Sequence, residues 1–246
     1  DEEQAALGAS VRDVIEARYG IPYVRRMLDD PRGFSPEFWS EAARLGWLGL
    51  LAEERFGGIG RGPIEMVAVQ QELGRGVLPG PFLASAILAT TALRRFGSED
   101  QKERWLPALV GGTAIATVAF QEASGSWDES GIVLTAVRSP NGTFRLTGEK
   151  RFVLDAYAAH LVVVPARAAE GVTLFLIDTS SPGVTIQPMK TIDDTRRLST
   201  MTLDGVEAGV DRVLGGVGSG WGPLQGVGDG GRGALWAEVV RGAERG

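Results

Sequence analysis

The chain has 246 residues, 43% hydrophobic and 23% charged, with a formal net charge of -6. That length suits one large or two modest domains, and the acidic balance gives no electrostatic reason to expect nucleic acid as a partner. The lack of cysteine excludes disulfides, thiol nucleophiles and zinc–thiolate centres. A Ser-His-Asp triad would have to use the single histidine, His160, and no Gly-x-Ser-x-Gly elbow accompanies it; His160 reads as a strand-edge residue near the surface. No apolar run approaches the roughly 18–20 residues that span a bilayer. The acidic start, DEEQAALGAS, has no basic region leading into an apolar core, so a cytoplasmic protein is expected.

The first 112 residues read as helices. Ser35-Pro36 supplies an N-cap and a first helical residue. Phe38, Ala42 and Leu45 then recur at helical spacing, and Gly46 is placed to end the helix. Pro63 opens another, with Ile64, Val67, Ala68 and Leu73 expected inside and Gly74 near its end. Pro81 to Phe96 is helical and largely apolar, through Phe82, Leu83, Ile87, Leu88 and Leu93. Ser98-Glu99-Asp100-Gln101 forms a capping box for a helix carrying Trp105, Leu106 and Leu109. Trp39, Trp47 and Trp105 read as core residues.

After Gly112 the period changes to short apolar runs broken by turns. Phe144 and Leu146 alternate with polar residues after the turn Pro140-Asn141-Gly142. LVVVPA (161–166) and VTLFLID (172–178) read as buried strands, and VTIQPM and LSTMTLDGV follow. The spacing predicts a compact β-domain of barrel or sandwich type over 113–216. Gly215 to Gly230 reads as a glycine-rich connection, opening a segment 217–246 that ends in a helix over Ala234–Arg245 with Leu235, Val239 and Val240 on its apolar side.

Two glycine-bearing stretches invite a ligand. VAFQEASGSWDESGI, from Val118 to Ile132, enters as a strand and breaks into a Gly/Ser-rich turn. It is either a solvated loop or a nest of main-chain N–H groups for an anion. The Gly215–Gly230 run matches neither a phosphate-binding P-loop nor a dinucleotide-binding turn.

Read in order, several phrases are similar to those of acyl-CoA dehydrogenases: RLGWLGLLAEERFGGIG, RFGSEDQKERWLPALVGGTAIATVAFQE, LTGEKRFVLDAYAAHLVVVPAR, SSPGVTIQPM and LDGVEAG. The resemblance covers nearly the whole chain. It implies an α+β architecture: a helical N-terminal domain (1–112), a middle β-barrel (113–216) and the start of a C-terminal helical bundle (217–246). It also implies FAD, an acyl-CoA substrate, an electron-transfer flavoprotein or similar acceptor, and a homo- or hetero-oligomer whose neighbouring subunit completes the flavin site. The chemistry would be removal of the α-proton by a carboxylate and passage of the β-hydrogen to the flavin as hydride. Bonds to the thioester oxygen would stabilise the enolate-like transition state.

Carried over by position, the resemblance assigns Phe120, Gln121 and Glu122 to the flavin edge. Gly125, Ser126 and Trp127 fall near the pyrophosphate, and Phe152, Val153 and Leu154 form a second wall. It assigns Trp127, Asp128, Asp229 and Arg232 to the acyl-CoA. The sequence departs from the family pattern at three of these. Gln121-Glu122-Ala123 stands for Thr-Glu-Pro, Trp127 for the serine of Gly-Ser-Asp, and Leu154 for the threonine whose hydroxyl would bond the flavin. An indole has one donor and no acceptor, and leucine has neither. The catalytic base of one family branch falls on Gly231, and the commoner position falls beyond Gly246, so no residue here is assigned that role. Two readings follow: part of an acyl-CoA dehydrogenase with an unusual substrate, or a non-catalytic partner subunit with a degenerate flavin site. A flavin-dependent monooxygenase of the same fold is a third. An isolated 246-residue chain is expected to expose apolar surface on its last helix.

Overall fold

The capping signals act where they are read. In a computed structural model, which describes residues 2–243, helices α1 (Glu2–Arg18) and α2 (Ile21–Asp29) precede α3 (Pro36–Arg44). The Ser35 hydroxyl accepts the Phe38 N–H at 3.1 Å, and Gly46 follows at φ +79°, a left-handed turn that ends the helix. The last carbonyls of α2 have no helical partners. Arg197, far along the chain, meets them: its Nη2 lies 3.1, 2.6 and 2.9 Å from the carbonyl oxygens of Met27, Leu28 and Asp30.

Helix α4 (Pro63–Arg75) starts at Pro63 as expected but buries another face. Ile64 is 63% exposed, whereas Met66, Val69 and Leu73 are buried; Val67 and Ala68 are half-buried. Both sets recur at helical spacing, so tertiary contacts choose between them. The Arg12 guanidinium of α1 donates to the Glu72 carboxylate at 2.9 and 2.6 Å and fixes one side of α4. Phe82–Ala89 is a π-helical stretch continuing into α5 (Thr90–Phe96), and its expected apolar residues are buried. In α6 (Glu99–Val110) both halves of the Ser98/Gln101 capping box form. The Gln101 amide also donates to the carbonyls of Asp211 and Val213 at 2.8 and 2.9 Å, which docks the helix on the sheet. Trp39 and Trp47 are buried and Trp105 is half-buried.

The β-region comprises β1 (Ala116–Val118), β2 (Thr135–Arg138), β3 (Phe144–Leu154), β4 (Leu161–Ala168), β5 (Gly171–Asp178), β6 (Val184–Pro188), β7 (Leu198–Ala208) and β8 (Val213–Leu214). Strand order is β6-β7-β3-β2-β4-β5-β8, with β1 parallel to β4. The barrel expected from the sequence is not closed: β6 pairs only with β7 and β8 only with β5 among the described residues. Closure fails because β8 is two residues long and Gly215, at φ +78°, turns the chain away. β2 and β4 share a single registered pair, Thr135 with Arg167. The two halves of the sheet nevertheless share a core, where Phe144 and Phe175 meet edge to face at 5.1 Å.

Most of the glycine-rich run is helix, not connection. Helix α7 spans Trp221–Ala243 and takes up most of the stretch read as a connection; residues 244 and 245 of the helix expected there lie outside the described residues. Glycine is a poor helix former, so packing must favour it here. A Cβ on Gly231 would lie 2.3 Å from Leu88 Cδ2, and one on Gly74 of α4 would lie 2.3 Å from the Glu238 carbonyl oxygen. Two helices therefore cross with backbone against backbone at Gly74. Glu238 also bonds Gln70 of α4 and Arg196 of the loop before β7. Leu224, Val227 and Ala234 are the buried apolar residues of α7, while Leu235, Trp236, Val239 and Val240 are exposed. No helix among the described residues is long and apolar enough to cross a membrane.

Candidate functional site

The end of β1, the end of β3, the π-helical stretch and α7 enclose a cleft of about 660 Å³. Its size falls within the range of small-molecule sites, roughly 300–1,000 Å³. Phe120 and Gln121, just past β1, and Phe152 and Leu154, on β3, line it; an antiparallel bridge between Gln121 and Arg151 joins these two segments. Leu83 and Leu88 come from the π-helical stretch, and Trp221, Leu224 and Gln225 from α7.

A β-bulge builds the second wall. Along β3 the buried positions are Phe144, Leu146 and Lys150, and the next is Val153, one residue out of step. The register against β7 shifts between Lys150 and Val153. The extra residue re-aims the strand: Val153 enters the core, and Phe152 turns out to line the cleft, 44% exposed. Phe152 sits at φ +54°, a left-handed conformation that costs a non-glycine residue about 1–3 kcal/mol. Such strain concentrates at ligand sites.

The loop from Glu122 to Val133 forms the mouth. Its Gly125, at φ +68°, faces open space, and its main-chain donors are largely satisfied within the loop. Gly125 N–H bonds the Glu122 carbonyl at 3.0 Å, Ser126 N–H the Ser124 hydroxyl at 3.3 Å, and Asp128 N–H the Ser126 hydroxyl at 3.1 Å. The Gln121 amide donates to the Gly125 carbonyl at 3.0 Å. Trp127 is 66% exposed, its ring tilted against Phe120 at 5.9 Å between centroids. On the far side the Arg167 guanidinium holds the Glu129 side chain and the carbonyls of Glu129 and Ile132.

Of the residues singled out in the sequence, Phe120, Gln121, Ser126, Trp127, Asp128, Phe152, Leu154 and Arg232 line the cleft. Gly125 stands on the exposed loop, Val153 faces the core, and Asp229 lies outside the lining, bonded to Arg232 one turn on. Glu122 is buried behind the wall: its carboxylate accepts Lys150 Nζ at 2.6 Å and the N–H groups of Val133 and Leu134 at 3.0–3.1 Å. Burial pushes the Lys150 ammonium down to about 8, with Glu122 opposing that shift. Next to Leu154, Asp155 is also left-handed, at φ +53°. Its carboxyl is buried, its Oδ2 has no hydrogen-bond partner among the described residues, and burial pushes it up to about 7. His160 is exposed at the edge of β4 and accepts the Ile115 N–H at Nδ1, 3.1 Å away.

Sequence reasoning missed Lys150, whose only signal was the rarity of lysine, and Trp221, Leu224 and Gln225 of α7, hidden in a run read as a linker. The resulting cleft is largely apolar, with Gln121, Ser126, Asp128, Gln225 and Arg232 as the polar side chains of its lining. It suits a planar aromatic group better than a hydrated ion.

Family models for the N-terminal and middle domains of acyl-CoA dehydrogenase match residues 1–113 and 117–206. The chain belongs to the acyl-CoA dehydrogenase family. Acyl-CoA dehydrogenase FadE12 of Mycobacterium tuberculosis is 31% identical over 227 residues, covering 87% of this chain and 56% of that protein. The chain thus spans about half the length of this curated relative. A glutaryl-CoA dehydrogenase from Mycobacterium smegmatis superposes with a TM-score of 0.89 at 27% identity, over 98% of this chain and 62% of the other. Butyryl-CoA dehydrogenase from Megasphaera elsdenii gives 0.89 at 25%, over 98% and 66%.

Proposed function

We propose that this chain carries one side of an FAD site in an enzyme, or hetero-oligomer, that dehydrogenates an acyl-CoA thioester between its α and β carbons. The observation that carries this reading is Phe152: a bulge and a left-handed backbone hold a half-exposed aromatic ring on the cleft lining, which Phe120 shares. The residues present fit a flat isoalloxazine ring, since Phe120, Phe152 and Leu154 offer apolar faces in a cleft of about 660 Å³. Bound there, FAD would supply the hydride acceptor. The chain's own residues would orient and dry the site: Phe120, Phe152, Leu83 and Leu88 give it apolar surface, and Trp127 lies on the loop at its mouth. Leu154 brings no donor, so hydrogen bonds to the ring would come from main-chain groups around Gln121. Asp128 is an exposed carboxylate on the cleft lining, and proton abstraction is assigned to a group outside that lining. The acyl-CoA would enter past Trp127 and Asp128 toward Arg232, and an electron-transfer flavoprotein would collect the electrons.

Trp127 and Leu154 also favour a second reading, in which the chain is a partner subunit whose flavin is held chiefly by a related chain. One preparation distinguishes the two. Full-length protein purified alone and carrying FAD that acyl-CoA bleaches under anaerobic conditions supports the first. Colourless protein that becomes yellow and active only after mixing with a second family member supports the partner role. Failure of both would reject the dehydrogenase reading.

A further inference from the structure

The two aromatic walls come from separate segments, and the structure shows how they are joined. Glu122 lies two residues after Phe120, and Lys150 lies two before Phe152. Between them the Arg151 N–H donates to the Gln121 carbonyl at 2.9 Å. Behind that bridge the Lys150 ammonium meets the Glu122 carboxylate at 2.6 Å, both side chains buried and neither lining the cleft. The same carboxylate accepts the N–H groups of Val133 and Leu134, so it also closes the base of the loop that carries Trp127.

We infer that the Glu122–Lys150 pair is a positioning device: it sets the separation of the Phe120 and Phe152 walls and holds the Trp127 loop over the mouth. Stability alone does not account for the pair. A buried ion pair is often no better than an apolar pair of the same shape, and its best-attested use is to fix register. Here one carboxylate takes three donors from two segments: Lys150 of the strand bearing Phe152, and the N–H groups of Val133 and Leu134 at the far end of the loop. Without it, the loop would remain tied by Gln121 to Gly125 and by Arg167 to Glu129, neither of which joins it to β3.

The inference rests on the cleft being the flavin site only for its ligand readout, so the test uses a ligand-free readout as well. In full-length protein, the double variant Glu122→Gln/Lys150→Met removes both charges while keeping shape. Acrylamide quenching of Trp127, taken as the difference from a Trp127→Phe protein, is expected to rise by up to about 1.5-fold as the loop loosens, the ceiling for a ring already 66% exposed. FAD affinity, measured by titration, is expected to fall at least about tenfold with little change in melting temperature. A folded double variant with unchanged Trp127 quenching would overturn the inference. Raised quenching in a protein that takes no FAD in either form would uphold the clasp and reject the flavin reading. If the double variant does not fold, amide exchange of the parent decides. Val133 and Leu134 should exchange about a hundredfold more slowly than Glu129 and Ser130, and exchange at the loop's own rate would refute the clasp.

Discussion

Replacing Gly74 by alanine should loosen α7 from α4, and opposing magnitudes make the outcome informative. Alanine is favoured over glycine in a helix by about 1 kcal/mol, so propensity alone predicts a gain. Against it, the new Cβ would lie 2.3 Å from the Glu238 carbonyl oxygen and 2.8 Å from its carbonyl carbon and Cα. These are backbone atoms that cannot rotate away, so α7 would have to retreat by on the order of 1 Å. Overpacking of this kind costs about 1–3 kcal/mol, and the Glu238 bonds to Gln70 and Arg196 would be strained with it. We expect a net loss of about 1–2 kcal/mol, or roughly 2–8 °C in melting temperature for a chain of this length. Gly233→Ala is the control. A Cβ there meets nothing within 4 Å, so it should stabilise by about 0.5–1 kcal/mol. Scanning calorimetry of both variants is the assay. If Gly74→Ala raises the melting temperature as much as Gly233→Ala does, the close helix crossing is wrong.

The buried Asp155 carboxyl, pushed up to about 7 from an ordinary value near 3.8, binds a proton in the folded state that the unfolded chain releases between those values. Its stabilising contribution is present below about pH 4 and is lost as pH rises through 7, a few kcal/mol in all at about 1.4 kcal/mol per unit. Asp155→Asn should therefore flatten the fall in stability across that window, as followed by urea unfolding at several pH values. Arg197→Met leaves the carbonyls of Met27, Leu28 and Asp30 without their guanidinium partner. Chemical denaturation should show a loss of about 2–4 kcal/mol, since bonds to a charged donor are each worth roughly 1.5–3 kcal/mol and do not add fully. Phe152→Gly relieves the left-handed strain at φ +54° and removes one cleft wall. Melting temperature should hold or rise slightly while FAD uptake, read by absorbance, falls sharply.

Signals confined to a few neighbouring residues were legible in the sequence. Ser35-Pro36, the Ser98–Gln101 box and the Pro140-Asn141-Gly142 turn each specify a geometry that no distant contact overrides. The buried face of α4 was not legible, because Ile64 and Met66 begin equally regular stripes and the neighbours in space choose. The helix through Gly222–Gly233 was hidden for the opposite reason: local preference opposes it, and close approach to Leu88 and Phe120 favours small residues there. At the site, the Trp127 loop and the segment at Phe152 stood out through family resemblance. The bulge that turns Phe152 outward did not, because one extra residue in a strand leaves no mark on composition.

The hold of Arg197 on the end of α2 reaches beyond stability. It stitches residues separated by about 170 positions, so the helical and sheet halves are one mechanical unit rather than beads on a string. Severing the gene near the helix-to-sheet junction would leave three carbonyls and a guanidinium stranded on separate polypeptides. Grafting either half onto a cousin would transplant that mismatch too, which makes recombination within this lineage safest when both ends of the stitch travel together.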